Sequence, residues 1–454
     1  MDVYKRKPDL KVEIIRPDYN SSVYSETRIA TFGTGLQAES LTNLLSYEFS
    51  ENIKDPMGNF NLSLTPEYDK NGKSWLTKIK KRDIVLIYEF GKKRFCGLVG
   101  NVRYTARMSD EGNPSRAISV SGMSMSGLLA TFNVVLDLRI LKGIGTTSEA
   151  ESRTLMARIA QSFSKGAPIK NALTSIGDSF FSLVSKIGIE LNIPIGISSV
   201  MSQFIDYKNY IDGDMVFNYP VAYSLYEMGE NNLWSIWNNM INPPINEIFG
   251  RWENDKLGVN IRETPFDPEK WSSLEYHSID PVTLEECDIG TSDNDVKTFF
   301  LGTLPGSGIS RDLALVLAEY NRVPTISKEL FSKYGLIPLY TEYRYFDKNE
   351  TDSFNDSETL MRQLSEKLKS WYEPNPDLYN GTIKKHTTKE NYARIGEKLR
   401  FLGGEFYIEG TTRTWEYGGH MYTNIQVTRG GRYSETGEYL GPLENVDQRV
   451  RIFE

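Results

Sequence analysis

Asp83-Ile84-Val85-Leu86-Ile87-Tyr88, Gly91-Lys92-Lys93, Phe95-Cys96-Gly97-Leu98-Val99-Gly100-Asn101-Val102-Arg103 and Ala117-Ile118-Ser119-Val120-Ser121-Gly122 are successive pieces of the stretch whose reading decides the fold. The first is an apolar run rich in β-branched residues, the second breaks it as a turn does, and the third returns with the same character. A polar loop with Gly112 and Pro114 leads to the fourth, where apolar and polar residues alternate with period two. The expectation is a three-strand meander.

A similar order recurs near the end of the chain. Ile395 to Phe401 is a strand candidate, Gly403-Gly404 a turn, and Phe406 to Arg413 the return strand. Leu98-Val99-Gly100-Asn101-Val102-Arg103 lies over Ile408-Glu409-Gly410-Thr411-Thr412-Arg413, so that a Gly is followed three residues later by an Arg in both. Ile118-Ser119-Val120 lies over Ile425-Gln426-Val427, and the closing Gly122 and Gly430 fall at nearly the same distance. An ordered recurrence of this kind points to an internal duplication. On these residues alone, the ordinary likeness of any two β-meanders stands beside it.

Composition bounds the function. With 454 residues the chain is long enough for about three domains. A hydrophobic share of 39% with a mean hydropathy of −0.42 fits a soluble protein. The 26 Tyr and 21 Phe favour strands and interfaces. A net charge of −8 argues against a surface built to track nucleic-acid phosphates. The two cysteines, Cys96 and Cys287, read as buried free thiols of a reducing compartment. Met1 to Lys7 lacks the apolar core of a signal peptide and no long uncharged apolar run occurs, so neither export by its own signal nor membrane spanning is expected.

Along the chain, Val12 to Ile15 and Arg28 to Phe32 are strand candidates. Leu45, Tyr47 and Phe49, then Phe60, Leu62 and Leu64, each put large apolar groups on one face and make a hairpin around Pro56 and Gly58. With the meander these form a β-domain over residues 1–140. A helical insertion over 141–240 follows from the capping-box spacing of Ser148 and Glu151, the stripe Leu155, Ile159 and Phe163, and the apolar steps Leu173, Ile176, Phe180, Leu183 and Ile187. Lys170, Asp178, Lys186 and Glu190 interrupt that apolar block, so packing against another domain or subunit is expected rather than membrane insertion.

Trp234 and Trp237 precede the helix stop Pro243-Pro244. Ile248 to Trp252 and Leu257 to Arg262 flank the turn Glu253 to Lys256, a hairpin expected to take in a second copy the place of the Leu45 to Leu64 hairpin. A second β-domain is therefore read in two parts, 241–300 and 381–454, around a helical or mixed insertion at 301–380. In that insertion Ser310 caps Arg311 to Asn321, and Leu360, Leu364, Leu368 and Trp371 form a stripe after Asn355 and Glu358 that ends at Pro374. The fold class is α+β and mainly β, two β-domains with helical insertions.

Catalytic signals are weak. His277, His386 and His420 are scattered without metal-ligand spacing. Gly122-Met123-Ser124-Met125-Ser126-Gly127 has Ser126 where a nucleophile elbow needs its second Gly, and reads as a strand end. Gly302 to Gly308 lacks the Lys and Ser/Thr of a phosphate loop, and Asp293-Asn294-Asp295 lacks the Gly and distal Glu of a calcium loop. No catalytic, cofactor or metal residue is assigned, and no enzyme activity is expected.

The order of Leu45 to Leu64, Asp83 to Gly122, Asn246 to Phe266 with its Ile261-Arg262-Glu263-Thr264-Pro265-Phe266, and Gly381 to Gly430 resembles baseplate hub proteins of contractile phage tails and phage-tail-like (R-type) bacteriocins. Arg394-Ile395-Gly396-Glu397-Lys398-Leu399, Phe406-Tyr407-Ile408-Glu409-Gly410 and Gln426-Val427-Thr428-Arg429-Gly430 are especially similar. The resemblance implies two tail-tube-like β-barrel or sandwich domains per chain and a homotrimer presenting six similar units, with an interface on the order of 2,000 Å² or more. It also implies a hexameric tail tube protein and a trimeric central spike protein as partners, with a tape-measure protein and baseplate wedge proteins nearby. Neither sequence-specific nucleic-acid binding nor stable membrane insertion is expected. The competing readings are a tail-associated cell-wall hydrolase with its site in the 290–380 block, and a secreted carbohydrate-binding module, which the missing signal peptide disfavours.

Overall fold

The computed structural model describes residues 9–33, 43–66, 73–108, 114–131, 170–171, 173–178, 180–181, 196–212, 232–241, 243–303, 325–342, 354–389 and 392–444. The Ser148 cap with its stripe to Phe163, the helix expected over Arg311 to Asn321, and the end of the first domain near residue 140 lie outside these residues.

The chain is mainly β, as expected. Its first part supplies β1 (Leu10–Pro17), β2 (Glu26–Gly33), β3 (Leu44–Asn52), β4 (Asn59–Leu64), β5 (Ile84–Glu89), β6 (Lys92–Met108) and β7 (Pro114–Ser124). Next come β8 (Ile205–Asp206), β9 (Asn246–Glu253) and β10 (Lys256–Glu263), which form a separate three-stranded sheet. Beyond them lie β11 (Tyr276–Ser278), β12 (Leu284–Thr291), β13 (Phe299–Thr303), β14 (Thr325–Ile326) and β15 (Pro338–Glu342). The last part supplies β16 (Tyr379–His386), β17 (Lys398–Phe401), β18 (Gly404–Glu416), β19 (Met421–Tyr433) and β20 (Tyr439–Gly441). One large sheet runs β12-β16-β19-β18-β3-β4-β7-β6-β5-β1-β2, with β17 also on β18, β11 on β17 and β20 on β19, while β14-β13-β15 form a small sheet of their own.

The duplication is visible in this order. β3-β4-β7-β6-β5 in the first part is matched by β12-β16-β19-β18-β17 in the second. Two of the irregularities match as well. β3 bulges between Leu44 and Ser46 against β4, and β12 between Leu284 and Glu286 against β16. β6 bulges between Val99 and Asn101 against β7, and β18 between Ile408 and Gly410 against β19. Before β5, Arg82 N–H donates to Val99 O and Val99 N–H to Asp83 O; before β17, Gly396 N–H donates to Ile408 O and Ile408 N–H to Glu397 O. Arg82 and Gly396 both take positive φ, 70° and 79°. A bulge costs ladder hydrogen bonds and a non-glycine residue at positive φ is strained, so shared positions of both mark a common backbone plan.

Three sequence expectations are corrected by this register. Val99 pairs with Gly122 and Ile408 with Val427, so Gly100 answers Glu409, Tyr104 answers Arg413, and Val120 rather than Ile118 answers Ile425. Arg103 is exposed whereas Arg413 is buried, so the shared Gly-x-x-Arg spacing was coincidence. The β9-β10 hairpin does form, around Asn254 and Asp255 at positive φ, yet it sits in its own sheet; β12 and β16 occupy the place expected for it. In β3 the bulge at residue 45 makes Leu44, not Leu45, the buried residue.

Among the described residues three cores hold the fold. One lies under the first unit and includes Val12, Phe32, Phe49, Leu62, Trp75 and Val120. A second lies under the later unit, with Ile383, Leu399, Phe406, Ile408, Ile425 and Val427. The third gathers the helical material, Leu173, Ile176, Phe180, Trp237 from the helix Leu233–Met240, and Leu364, Leu368 and Trp371 from the helix Phe354–Tyr372, against Ile84, Leu98, Ile248 and Val259. The expected helical stripes therefore pack within the chain where they are described. Among the described residues no helix is long and apolar enough to cross a membrane.

Leu62 and Ile383 occupy equivalent, fully buried positions. Truncating either to Ala leaves a cavity, and each of Leu62→Ala and Ile383→Ala is expected to lower stability by about 2–5 kcal/mol in chemical denaturation.

Candidate functional site

The two units meet where β18 pairs antiparallel with β3, from Gly410↔Asn52 to Glu416↔Ser46. Period-two alternation turns Tyr47 and Phe49 of β3 and Thr411, Arg413 and Trp415 of β18 to the buried face. Tyr47 stacks on Trp415 at 6.1 Å between ring centres, and Phe49 on Phe95 at 4.9 Å. An arginine in this alternating apolar series is the one residue that burial would penalise most. Its two terminal nitrogens find partners from both units, while its Nε is buried without one.

Arg413 Nη1 lies 3.2 Å from Glu89 Oε2, and the two side chains are 1% and 0% exposed. Tyr47 Oη donates to Glu89 Oε1 at 2.7 Å, and Arg413 Nη2 donates to Ala393 O at 2.9 Å. The Tyr392 ring carries the guanidinium groups of Arg413 and Arg94 at 3.4 and 3.5 Å from its centre. Burial, then the Glu89 carboxylate, pushes the Tyr47 phenol well above its ordinary value, so it remains a donor. Half-buried Glu51 of β3 is pushed up to about 7 by burial, although Arg413 pulls it down. Lys385 of β16, 1% exposed, is pushed down to about 8 by burial and then by Arg413. Thr387 and Thr423 share a hydrogen bond of 2.7 Å within the later unit.

A second set of charges fixes the β9-β10 hairpin to the later unit. Arg262 Nε donates to Glu247 Oε1 at 2.8 Å and its Nη2 to Gly396 O at 2.6 Å; Tyr407 Oη donates to the same Glu247 Oε1 at 2.7 Å. Arg251 Nη1 lies 3.2 Å from Glu397 Oε1. In the first unit Asp83, the equivalent of Glu397, receives Arg16 of β1 through two bonds of 2.8 Å. Each buried acid is thus gripped by an arginine from a preceding hairpin.

These arrangements hold strands together; they do not expose a reacting group. Glu89 is fully buried against Arg413 and Tyr47, out of reach of a substrate. His277 is bonded to Glu397. His386 and His420, read as scattered, come together with ring centres 5.2 Å apart beside Tyr422. Among the described residues no three His, Cys, Asp or Glu side chains gather as metal ligands. β7 ends at Ser124 as expected, and Ser126 donates to Pro56 O and shares a bond with Ser124. Asp293 to Asp295 form a turn, and all but the start of Gly302 to Gly308 lies outside the described residues. Cys96 is buried, but Cys287 is only half-buried because β12 is the last strand of the sheet. Glu89, Tyr392 and Lys385 were not singled out from sequence, and Arg413 only for its spacing from Gly410; the available signal was a charged residue at an inward position of an alternating strand.

No protein-family model matches the sequence, and no curated protein matches it. Solved structures do. A tail protein from Neisseria meningitidis MC58 is 11% identical, with a TM-score of 0.48 over 93% of this chain and 97% of that one. The 43 kDa tail protein of prophage MuSo2 from Shewanella oneidensis is 10% identical, with a TM-score of 0.48 over 94% and 99%. An Escherichia coli type VI secretion component, described as structurally similar to the T4 tail proteins gp27 and gp5, is 8% identical, with a TM-score of 0.36 over 90% and 78%. By their descriptions these neighbours are two tail proteins and a type VI secretion component.

Two outcomes test the junction. Arg413→Ala leaves Glu89 buried without its cation and is expected to cost about 3–5 kcal/mol, most of it recovered in a Glu89→Gln/Arg413→Met double variant measured by denaturant unfolding. For Lys385 the folded value lies below the unfolded one, so its charge penalises the fold below pH 8 and the penalty is relieved as pH rises toward 10.5. Lys385→Met is expected to abolish that rise in stability between pH 8 and 10.5 and to gain on the order of 3 kcal/mol at pH 7.

Proposed function

We propose that this chain is a structural hub at the distal end of a contractile tail. Three copies form a ring that joins a hexameric tail tube to a trimeric central spike and walls part of the central channel. The observation that carries this reading is the duplicated five-strand unit, matched in order and at two bulges and already joined edge to edge within one chain. Three copies of a doubled unit present six near-equal seats to a sixfold partner while keeping threefold symmetry toward the spike. The sequence resemblance to baseplate hub proteins supports the same role, and the acidic chain suits a channel through which nucleic acid or a tape-measure protein slides without adhering. Baseplate wedge proteins are the expected outer partners. The particle, a phage virion or a phage-tail-like bacteriocin, would assemble in the cytoplasm of a bacterial host. The role is structural, not enzymatic.

Light scattering coupled to size exclusion is expected to give about three times the 51.8 kDa chain mass, with ring-shaped particles alone or with the tube protein. A stable monomer at micromolar concentration that forms no rings under either condition overturns the reading. Clearing of purified peptidoglycan, abolished by a single Glu or Asp substitution, would favour a hydrolase instead.

A further inference from the structure

Among the strand edges that have no backbone partner in the described residues, two bear on the junction between the units. One is the outer edge of β12, which pairs only with β16. The other is the end of β6: β5 pairs with β6 only as far as Ile84↔Leu98, and from Asn101 onward β6 is paired on the β7 side alone. These are the equivalents of the strands that meet inside the chain. β12 corresponds to β3, and the end of β6 corresponds to the part of β18 that β3 covers.

Resting on the trimeric reading, we infer that β12 of one chain pairs antiparallel with the end of β6 in a second copy, repeating the register of the internal junction. The β3 bulge at Leu44/Ser46 and the β12 bulge at Leu284/Glu286 equate Tyr47 with Cys287 and Phe49 with Ile289. The β6 and β18 bulges equate Tyr104 with Arg413 and Ala106 with Trp415. Since Phe49 pairs with Arg413 and Tyr47 with Trp415, Ile289 pairs with Tyr104 and Cys287 with Ala106 of the neighbour. Gly290 then falls opposite Arg103 and Asp288 opposite Thr105.

Burial and charge agree with this occupant. Tyr47 and Phe49 are 1% and 0% exposed at the internal junction, whereas Cys287 and Ile289 are half-exposed and Tyr104 is 49% exposed. A strand laid across each edge would close these inward positions as β18 closes those of β3. On the outward face β12 carries Glu286 and Asp288, and the opposing stretch of β6 carries Arg103, diagonal to Asp288. An interface joining different surfaces of identical chains closes into a ring when the rotation allows, and the internal junction supplies the same contact at alternate positions.

The native Cys287 makes the register directly testable in the full chain. Ala106→Cys places a thiol opposite it, and directly opposed strand residues lie within disulfide range. Mild oxidation is expected to yield covalent dimers and trimers and no larger species, and to yield none in Ala106→Cys/Cys287→Ser. Thr105→Cys, which faces the other side, is expected to crosslink at least tenfold less. As a second measurement, Asp288→Arg is expected to reduce the trimer fraction at fixed concentration and Arg103→Asp to restore it in the same chain. Trimers by mass in which Ala106→Cys fails to crosslink, or crosslinks no better than Thr105→Cys, overturn the strand assignment and leave the hub reading in place. An unmodified chain that remains monomeric overturns both.

Discussion

The seven-residue pairing of β3 with β18 is the constraint on which the rest of the molecule depends. Without it the chain would be two small sheets with their edge strands open; with it there is one continuous sheet that must bury an arginine at its centre. Arg413 is tolerated there because Glu89, the Ala393 carbonyl and Tyr392 surround it, and because Tyr47 supplies the remaining hydrogen bond to Glu89. An ion pair this deep adds little net stability over an apolar pair of the same shape, but leaving one member alone is severe. Its effect is selective, since a β18 displaced by one residue would turn Arg413 outward and strand Glu89 in the core.

Much of this architecture was legible in the sequence. The alternation of Phe60, Leu62 and Leu64 and of Ile118 and Val120 fixed strands and buried faces, and the run after Asp83 fixed the meander. The duplication was legible only in outline. Side chains drew attention to Gly100 and Arg103 against Gly410 and Arg413, but what the copies share is backbone conformation. Arg82 and Gly396 share a positive φ, and Asp83 and Glu397 share the hydrogen bond that follows it. Residue types at these places differ enough that no comparison of letters would align them. The misplaced β9-β10 hairpin has a related cause, because alternation identifies a hairpin without saying which sheet receives it.

The junction residues were hidden for another reason. Glu89, Arg413 and Tyr392 lie far apart in sequence and become a group only when the second unit docks on the first. Lys385 could have been suspected, since it falls on the inward phase of β16 where the first unit has Leu64. Its depressed basicity reflects the cost of keeping an amine in that position beside a second cation. Glu89 and Arg413 neutralise one another inside the sheet instead of facing a cleft.

In the first unit β3 reaches β4 through residues 53–58, whereas β12 reaches β16 through residues 292–378, which carry the small β14-β13-β15 sheet and the helix Phe354–Tyr372. This elaboration falls in one crossover of one copy. A ligand that grips the common strands counts two places on each polypeptide, and one that grips the crossover counts a single place. One gene product thereby carries two valencies in a ratio of two to one, set by where an insertion was tolerated and not by any change in the strands themselves.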